Sequence, residues 1–413
     1  MKCIVSEDVV LLRPLDGPLS VHIGGFAKWL RDEGYALYSR HRQVRLAACF
    51  SRWLGEEGVD LSDVGSEHVS RYLRTHARQV KIARGDAAAL RYFLSFLQRL
   101  GVIPAERISP RPLSPVERVV QEFERYLLHD RALAQATAVN YVPFVRGFLA
   151  GLFGGGPVKL SRLYAGDVVR FVQHEVPRIR SKRAKLLTTA LRSFLQYLRY
   201  RGDLLHNLSD AVPAVANWSM TSIPRAIPPD LVRQLLASIN RHTAIGRRDY
   251  AILLLLARLG LRAGEVARIE LEDIDWNAGS VGVRRKGGQR SILPLSTDVG
   301  DALVAYLRHG RPRNSSSRCV FLRSRAPLRG FQGPVAITSL VQHNLTRAGI
   351  KAPTHGAHQF RHGLATDMLR HGASLTEIGE VLGHSSPETT RIYTKVDLNA
   401  LRPLALPWPG GIR

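Results

Sequence analysis

The sequence predicts a mainly α protein: two tandem small helical modules, then a larger, mostly helical domain with one small β-sheet. Three observations carry this. Two proline-rich stretches, VIPAERISPRPLSPVE and LSDAVPAVANWSMTSIPRAIPPD, interrupt the chain where helices seldom continue. The helices closing the first two blocks are near copies, ALRYFLSFLQRLG (89–101) and ALRSFLQYLRYRG (190–202). In the third block alone, helical spacing gives way to alternation, in SVGVRR and RSILPL joined by KGGQ.

The breaks set an N-terminal segment 1–19, a first helical module 20–101 and a linker 102–114. A second module follows at 115–205, then a linker 206–224, a third domain 225–400 and a tail 401–413. In the closing helices Leu90, Phe93, Leu94 and Leu97 share one face, and Leu191, Phe194, Leu195 and Leu198 repeat it. The shared order of elements reads as a duplication of the module. In the third domain Pro229 suits a first helical turn and Gly260 a C-terminal cap. The glycines of KGGQ supply the positive φ that a tight hairpin needs. Ser374 and Glu377 form a capping box for a helix that Gly383 stops, which leaves His384 in a loop. Ser386 and Pro387 open one more helix, and Tyr393 falls about two turns into it.

The formal charge of +25, from 59 Lys and Arg against 34 Asp and Glu, points to a polyanionic partner. Arginine supplies most of it, which a GC-rich genome can explain, but such a bias does not explain the excess of bases over acids. Three scattered cysteines show neither a disulfide framework nor metal-ligand spacing and fit a reducing cytoplasm. The N-terminus is interrupted by charges too often for a signal peptide, and the longest apolar run, Ala251 to Ala257, is too short to span a bilayer. The expectation is a cytoplasmic protein with no membrane partner.

The densest chemistry lies between His358 and Tyr393. His358 and His362 are four apart, as in zinc proteases, but Gln359 stands where such a site needs glutamate and no third ligand is evident. No metal or cofactor is therefore expected. Arg262, Lys286, His358, Arg361, His384 and Tyr393 together supply cations for a phosphate, groups that move protons and one hydroxyl nucleophile. Candidate phosphate contacts are Lys182, Arg183 and Lys185 in the second module, while Arg284, Arg285 and Arg290 around the hairpin read equally as DNA contacts or as charges of the hairpin itself. Glu265, three after Arg262, reads as a cap or an orienter of that arginine.

On these residues the third domain resembles the catalytic domain of the tyrosine recombinases, the phage-integrase family of site-specific DNA recombinases. GLRAGE, RRKGGQRSILPL, HQFRHGLAT, LGHSS and TTRIYTKV resemble the family's boxes in the family's order. The module at 115–205 is similar to its helical, SAM-like core-binding domain. The resemblance implies that Arg262 and Arg361 clamp a phosphodiester, that His384 adds a hydrogen bond, and that Tyr393 attacks to form a 3′-phosphotyrosyl link. Lys286 would protonate the leaving 5′-oxygen, and His358 would help take or return the tyrosine proton. It also implies double-stranded DNA as partner and a homo- or hetero-tetramer of recombinases. The extra first module suggests a mobile-element integrase or transposase that needs a longer DNA footprint or extra protein contacts. The alternatives are a strand-relaxing topoisomerase of the same chemistry and a DNA-binding relative without turnover. Arg285 departs from the family, where many members carry Gly before the lysine.

Overall fold

The computed structural model describes residues 3–6, 9–11, 14–77, 85–104, 113–215, 224–285, 288–313, 315–384 and 386–396. They fall into two compact units, one from 1–106 together with 222–413, the other from 107–221.

The first module begins with a short antiparallel hairpin, β1 (Cys3–Ser6) and β2 (Val9–Leu11), where the sequence suggested only a leading segment. Four helices follow: α1 (Ile23–Asp32), α2 (Leu37–Glu56), α3 (Ser66–His76) and α4 (Asp86–Arg99). The second module repeats the order with α5 (Pro115–Arg125), α6 (Gln135–Phe153), α7 (Ala165–Glu175) and α8 (Ser181–Arg201). Each has a single 3₁₀ turn between its second and third helices, Leu61–Asp63 and Leu160–Arg162.

The likeness extends to packing. Phe26, Trp29, Phe93 and Phe96 form an aromatic quartet, with centroids 4.8 Å apart for Phe26–Phe93 and 5.8 Å for Trp29–Phe96. Phe123, Tyr126, Phe194 and Tyr197 form its counterpart, at 5.2 Å for Phe123–Phe194 and 4.8 Å for Tyr126–Tyr197. Rings of this size dominate the energetics of a small core, so the matched quartets explain why the closing helices are the most similar part of the two sequences. α6 is long and apolar enough to cross a membrane by length and composition, a property the run 251–257 lacks. Its Val142, Val145, Phe148 and Leu149 face are buried in the core of the module.

The third domain runs α9 (Pro229–Ala237), α10 (Ala244–Arg258) and α11 (Ala263–Val266) into a three-stranded antiparallel sheet. Its strands are β3 (Ile274–Asp275), β4 (Ser280–Arg284) and β5 (Arg290–Pro294), in the order β3-β4-β5. The hairpin register pairs Arg284 with Arg290. After it come α12 (Thr297–His309), α13 (Pro334–Arg347), α14 (His358–Arg370), α15 (Leu375–Leu382) and α16 (Pro387–Thr390). α10 is buried almost all round, from Ala251 to Leu256, and is the axis against which α12 and α14 pack.

The first module and the third domain share a unit because they touch. Leu328 N donates to Glu33 O at 3.0 Å, and Arg329 donates to the Tyr92 hydroxyl at 2.8 Å. The Leu328 side chain fills the space a Cβ on Gly34 would need, 2.2 Å from it, and Gly34 has φ +82°. The linkers alone do not disclose this contact.

Candidate active site

Everything at the site is arranged around the carboxyl end of α15. Ser374 Oγ caps that helix by accepting from Glu377 N at 3.2 Å, and Gly383 ends it in the left-handed region at φ +60°. The last carbonyls of a helix lack intrahelical partners and carry partial negative charge, so they attract cations. Three guanidinium groups from three separate segments converge there. Arg361, on α14, donates to Leu382 O at 2.5 Å and to Gly260 O at 2.8 Å. Arg285, at the end of β4, donates to Leu382 O at 3.0 Å and Val381 O at 3.1 Å. Arg262, the residue before α11, donates to Gly383 O at 3.4 Å.

Two glycines make this convergence possible. A Cβ on Gly383 would lie 2.8 Å from Arg285 Nε and 2.9 Å from its Cζ. A Cβ on Gly260, at φ +59°, would lie 2.8 Å from Leu382 and 2.9 Å from Leu364. Gly260 therefore both ends α10 and leaves its carbonyl open to Arg361.

Glu265 is the carboxylate that faces these cations, and it is 3 % exposed. Its Oε1 accepts from Arg262 Nη1 at 2.7 Å, its Oε2 accepts from Arg262 N at 2.8 Å, and Arg285 Nη1 lies 3.6 Å away. The reading of Glu265 as a cap and an arginine orienter describes both contacts. Arg262 stays partly open, beside a cleft of about 470 Å³ that also has Arg268, Thr338 and His358 in its wall. Arg361 is 2 % exposed, and burial, with Arg262 beside it, pushes its guanidinium down to about 10. It remains a cation at neutral pH.

The histidines and the tyrosine line one side. His384 follows Gly383, with Nδ1 2.7 Å from Thr390 Oγ1. His358, at the start of α14, keeps a solvent-exposed edge. Desolvation on its protein side, then Arg361 and Arg262, holds it below the ordinary histidine value. Tyr393 lies in the 3₁₀ segment Arg391–Val396 that continues α16, so its helix is shorter than the sequence pattern suggests. It is 1 % exposed, and burial raises its hydroxyl to about 12 against the opposing pull of Arg361 and Arg262. Its Oη is 3.0 Å from Nδ1 of His362. His362 is held at about 4 by burial, then by His358 and Arg361, and His384 at about 4 by burial, then by Arg361 and Arg262.

Arg262, His358, Arg361, His384 and Tyr393 thus meet in one place. Lys286 lies outside the described residues. Arg285 corrects an expectation: the surface DNA contact is instead 5 % exposed and bonded to helix-end carbonyls, because the hairpin folds its base against α15. Arg284 pairs with Glu270 at the surface, and the exposed Arg290 reaches in to the buried Asp273. Lys182, Arg183 and Lys185 are exposed in the first turns of α8. Two further neighbours join the site, His362 against Tyr393 and Thr390 against His384. The available signal was spacing: His362 is one turn beyond His358, and Thr390 is three before Tyr393.

The low histidine values have a consequence for stability. A base whose folded value lies below its unfolded one favours folding in its neutral form, so protons bind the unfolded chain preferentially. The contribution of His362 and His384 is fully present above about pH 6.5 and is lost as pH falls toward about 4. The melting temperature should fall across that window, and a variant with both histidines replaced by asparagine should show a shallower fall. Identical acid profiles in the two proteins would contradict the assignment.

Residues 225–399 match the Phage integrase family and residues 120–202 the Phage integrase, N-terminal SAM-like domain. Across 410 residues the chain is 55 % identical to a putative integrase/recombinase, y4rA, of Sinorhizobium fredii, covering 99 % of each chain. The chain belongs to the phage integrase family. The enzyme it forms is a tyrosine recombinase. A second putative integrase/recombinase of Sinorhizobium fredii, y4rF, is 30 % identical over 97 % of this recombinase and 94 % of its own length. In fold the recombinase is similar to the XerH site-specific recombinase, with TM-score 0.55, 16 % identity and coverage of 83 % of this chain and 97 % of that one. A lambda integrase structure gives TM-score 0.51 at 15 % identity, covering 67 % and 94 %.

Proposed function

We propose that this recombinase cleaves and rejoins double-stranded DNA at specific sites through a 3′-phosphotyrosyl intermediate on Tyr393, in the integration, excision or transposition of a mobile element. The observation that carries the reading is the cation cage: Arg262, Arg285 and Arg361 gathered at the end of α15 with Glu265 as the carboxylate facing them, and Tyr393 alongside. A phosphodiester would supply the missing negative charge. In-line attack by the tyrosine oxygen builds charge on the non-bridging oxygens, which preorganised guanidinium donors stabilise. The phosphorus–tyrosine bond conserves the energy of the broken ester, so religation needs no external source. In this reading His384 donates to the phosphate, and Lys286 protonates the leaving 5′-oxygen.

Exposed Lys182, Arg183 and Lys185 would contact the DNA backbone, with Arg284 and Arg290 beside the hairpin; Arg285 is withdrawn from that set. The solved relatives of this fold include XerH bound to its difH substrate and a lambda integrase tetramer on a Holliday junction. They support double-stranded DNA as partner and a tetramer of recombinases as the working assembly; acting on DNA, the enzyme would work inside the cell, in the cytoplasm. The test is covalent capture: a nicked suicide substrate should leave a DNA-linked peptide containing Tyr393. An adduct on another residue, or none with DNA bound, would overturn the mechanism.

A further inference from the structure

We infer that His362 is the immediate acceptor of the Tyr393 proton when the tyrosine attacks. The inference rests on the reading of Tyr393 as nucleophile and goes beyond it, because the family resemblance implies proton handling by His358. The structure orders the three side chains as His358, His362, Tyr393. The His358 and His362 ring centroids are 5.7 Å apart, His362 and Tyr393 are 5.7 Å apart, and Nδ1 of His362 is 3.0 Å from the tyrosine Oη. In the tautomer with hydrogen on Nε2, the hydroxyl donates to Nδ1. His358 reaches the tyrosine through His362, and its exposed edge faces solvent.

The step balances. The Oη–H bond breaks and its proton passes to Nδ1, while the Oη–phosphorus bond forms and the phosphorus–O5′ bond breaks. The leaving oxygen takes a proton from a separate acid, which the reading above assigns to Lys286. Before attack the phenol, at about 12, is a far weaker acid than the imidazolium, at about 4, so the proton stays on oxygen. As Oη bonds to phosphorus its proton becomes strongly acidic, and transfer to a neutral imidazole turns favourable within the same step. The titratable and charged groups set around His362 are His358 and Arg361 on α14, His384 after α15, and Tyr393. Burial first, then His358 and the cation Arg361, keeps the imidazole neutral and able to accept.

The test is single-turnover cleavage of a nicked suicide substrate by wild type, His362→Asn, His362→Gln and His358→Asn, with binding measured by gel shift and folding by thermal melts. Asparagine and glutamine can accept a hydrogen bond but cannot take the proton. Both His362 variants should bind DNA, form the adduct on Tyr393 about 10²-fold more slowly or worse, and gain close to tenfold in rate per pH unit between pH 7 and 9, because the phenolate must now form first. Wild type and His358→Asn should lack that slope. Wild-type rates in the His362 variants, or slower rates with the wild-type pH profile, would overturn the role; the latter would leave His362 an anchor. Absence of a Tyr393 adduct in the wild-type protein would instead overturn the underlying reading.

Discussion

Replacing Tyr393 by Phe should abolish the covalent DNA adduct and reduce recombination by more than about 10⁴-fold, the scale on which covalent enzymes lose activity without their nucleophile. The substitution removes one oxygen from a ring that is 1 % exposed and one contact of 3.0 Å, to His362. The ring keeps its packing against Ile378 and Leu382, so the fold and DNA binding should persist. The expected loss is therefore confined to chemistry. Gel shifts of wild-type affinity together with no adduct on a suicide substrate would show this. An adduct of normal yield in the Phe variant would exclude Tyr393. The buried hydroxyl adds a kinetic expectation. Phosphate must reach an oxygen packed inside the domain, so adduct formation should lag behind binding in stopped-flow measurements, with a phase independent of DNA concentration.

The residues proposed for catalysis stand out in the sequence because they sit in short local patterns. The capping box at Ser374, the stop at Gly383 and the residue following it put His384 in a loop from local rules alone, and the structure has each of them. The core faces of the closing helices were legible for the same reason: a period of 3.6 depends only on neighbours along the chain. What the sequence concealed was long-range. Arg285 looks like any other basic residue of a hairpin, and only the approach of β4 to α15, nearly a hundred residues on, turns it inward. The contact of Leu328 and Arg329 with the first module joins segments more than two hundred residues apart, and no periodicity announces it. The short length of α16 escaped for a different reason. Pro387 sets a helix start well, but the change to 3₁₀ geometry at Arg391 is decided by packing rather than by propensity.

Arg361 gives the second large effect. Arg361→Ala should reduce cleavage by about 10³-fold, the cost of losing a principal donor to a charged transition state, while the fold loses little. The two expectations have one source. Arg262, Arg285 and Arg361 lie around Glu265, the one carboxylate facing them among the described residues, and the proximity of Arg262 contributes, after burial, to the lowered value of Arg361. Removing one guanidinium relieves that repulsion. Leu382 O keeps a donor in Arg285, so only Gly260 O loses its side-chain partner, a penalty of about 1–3 kcal/mol that the relief offsets in part. Arg361→Lys should remain impaired by about 10²-fold, because a point charge cannot hold Gly260 O and a phosphate oxygen in one planar fork. Inorganic phosphate separates the electrostatic account from a structural one. It should raise the melting temperature of wild type by occupying the cage, following the logarithm of its concentration over its dissociation constant. That increment should vanish in Arg361→Ala. An alanine variant whose cleavage falls only as far as its folded fraction, with the phosphate increment intact, would make Arg361 a structural pin and leave the phosphate to be held by Arg262.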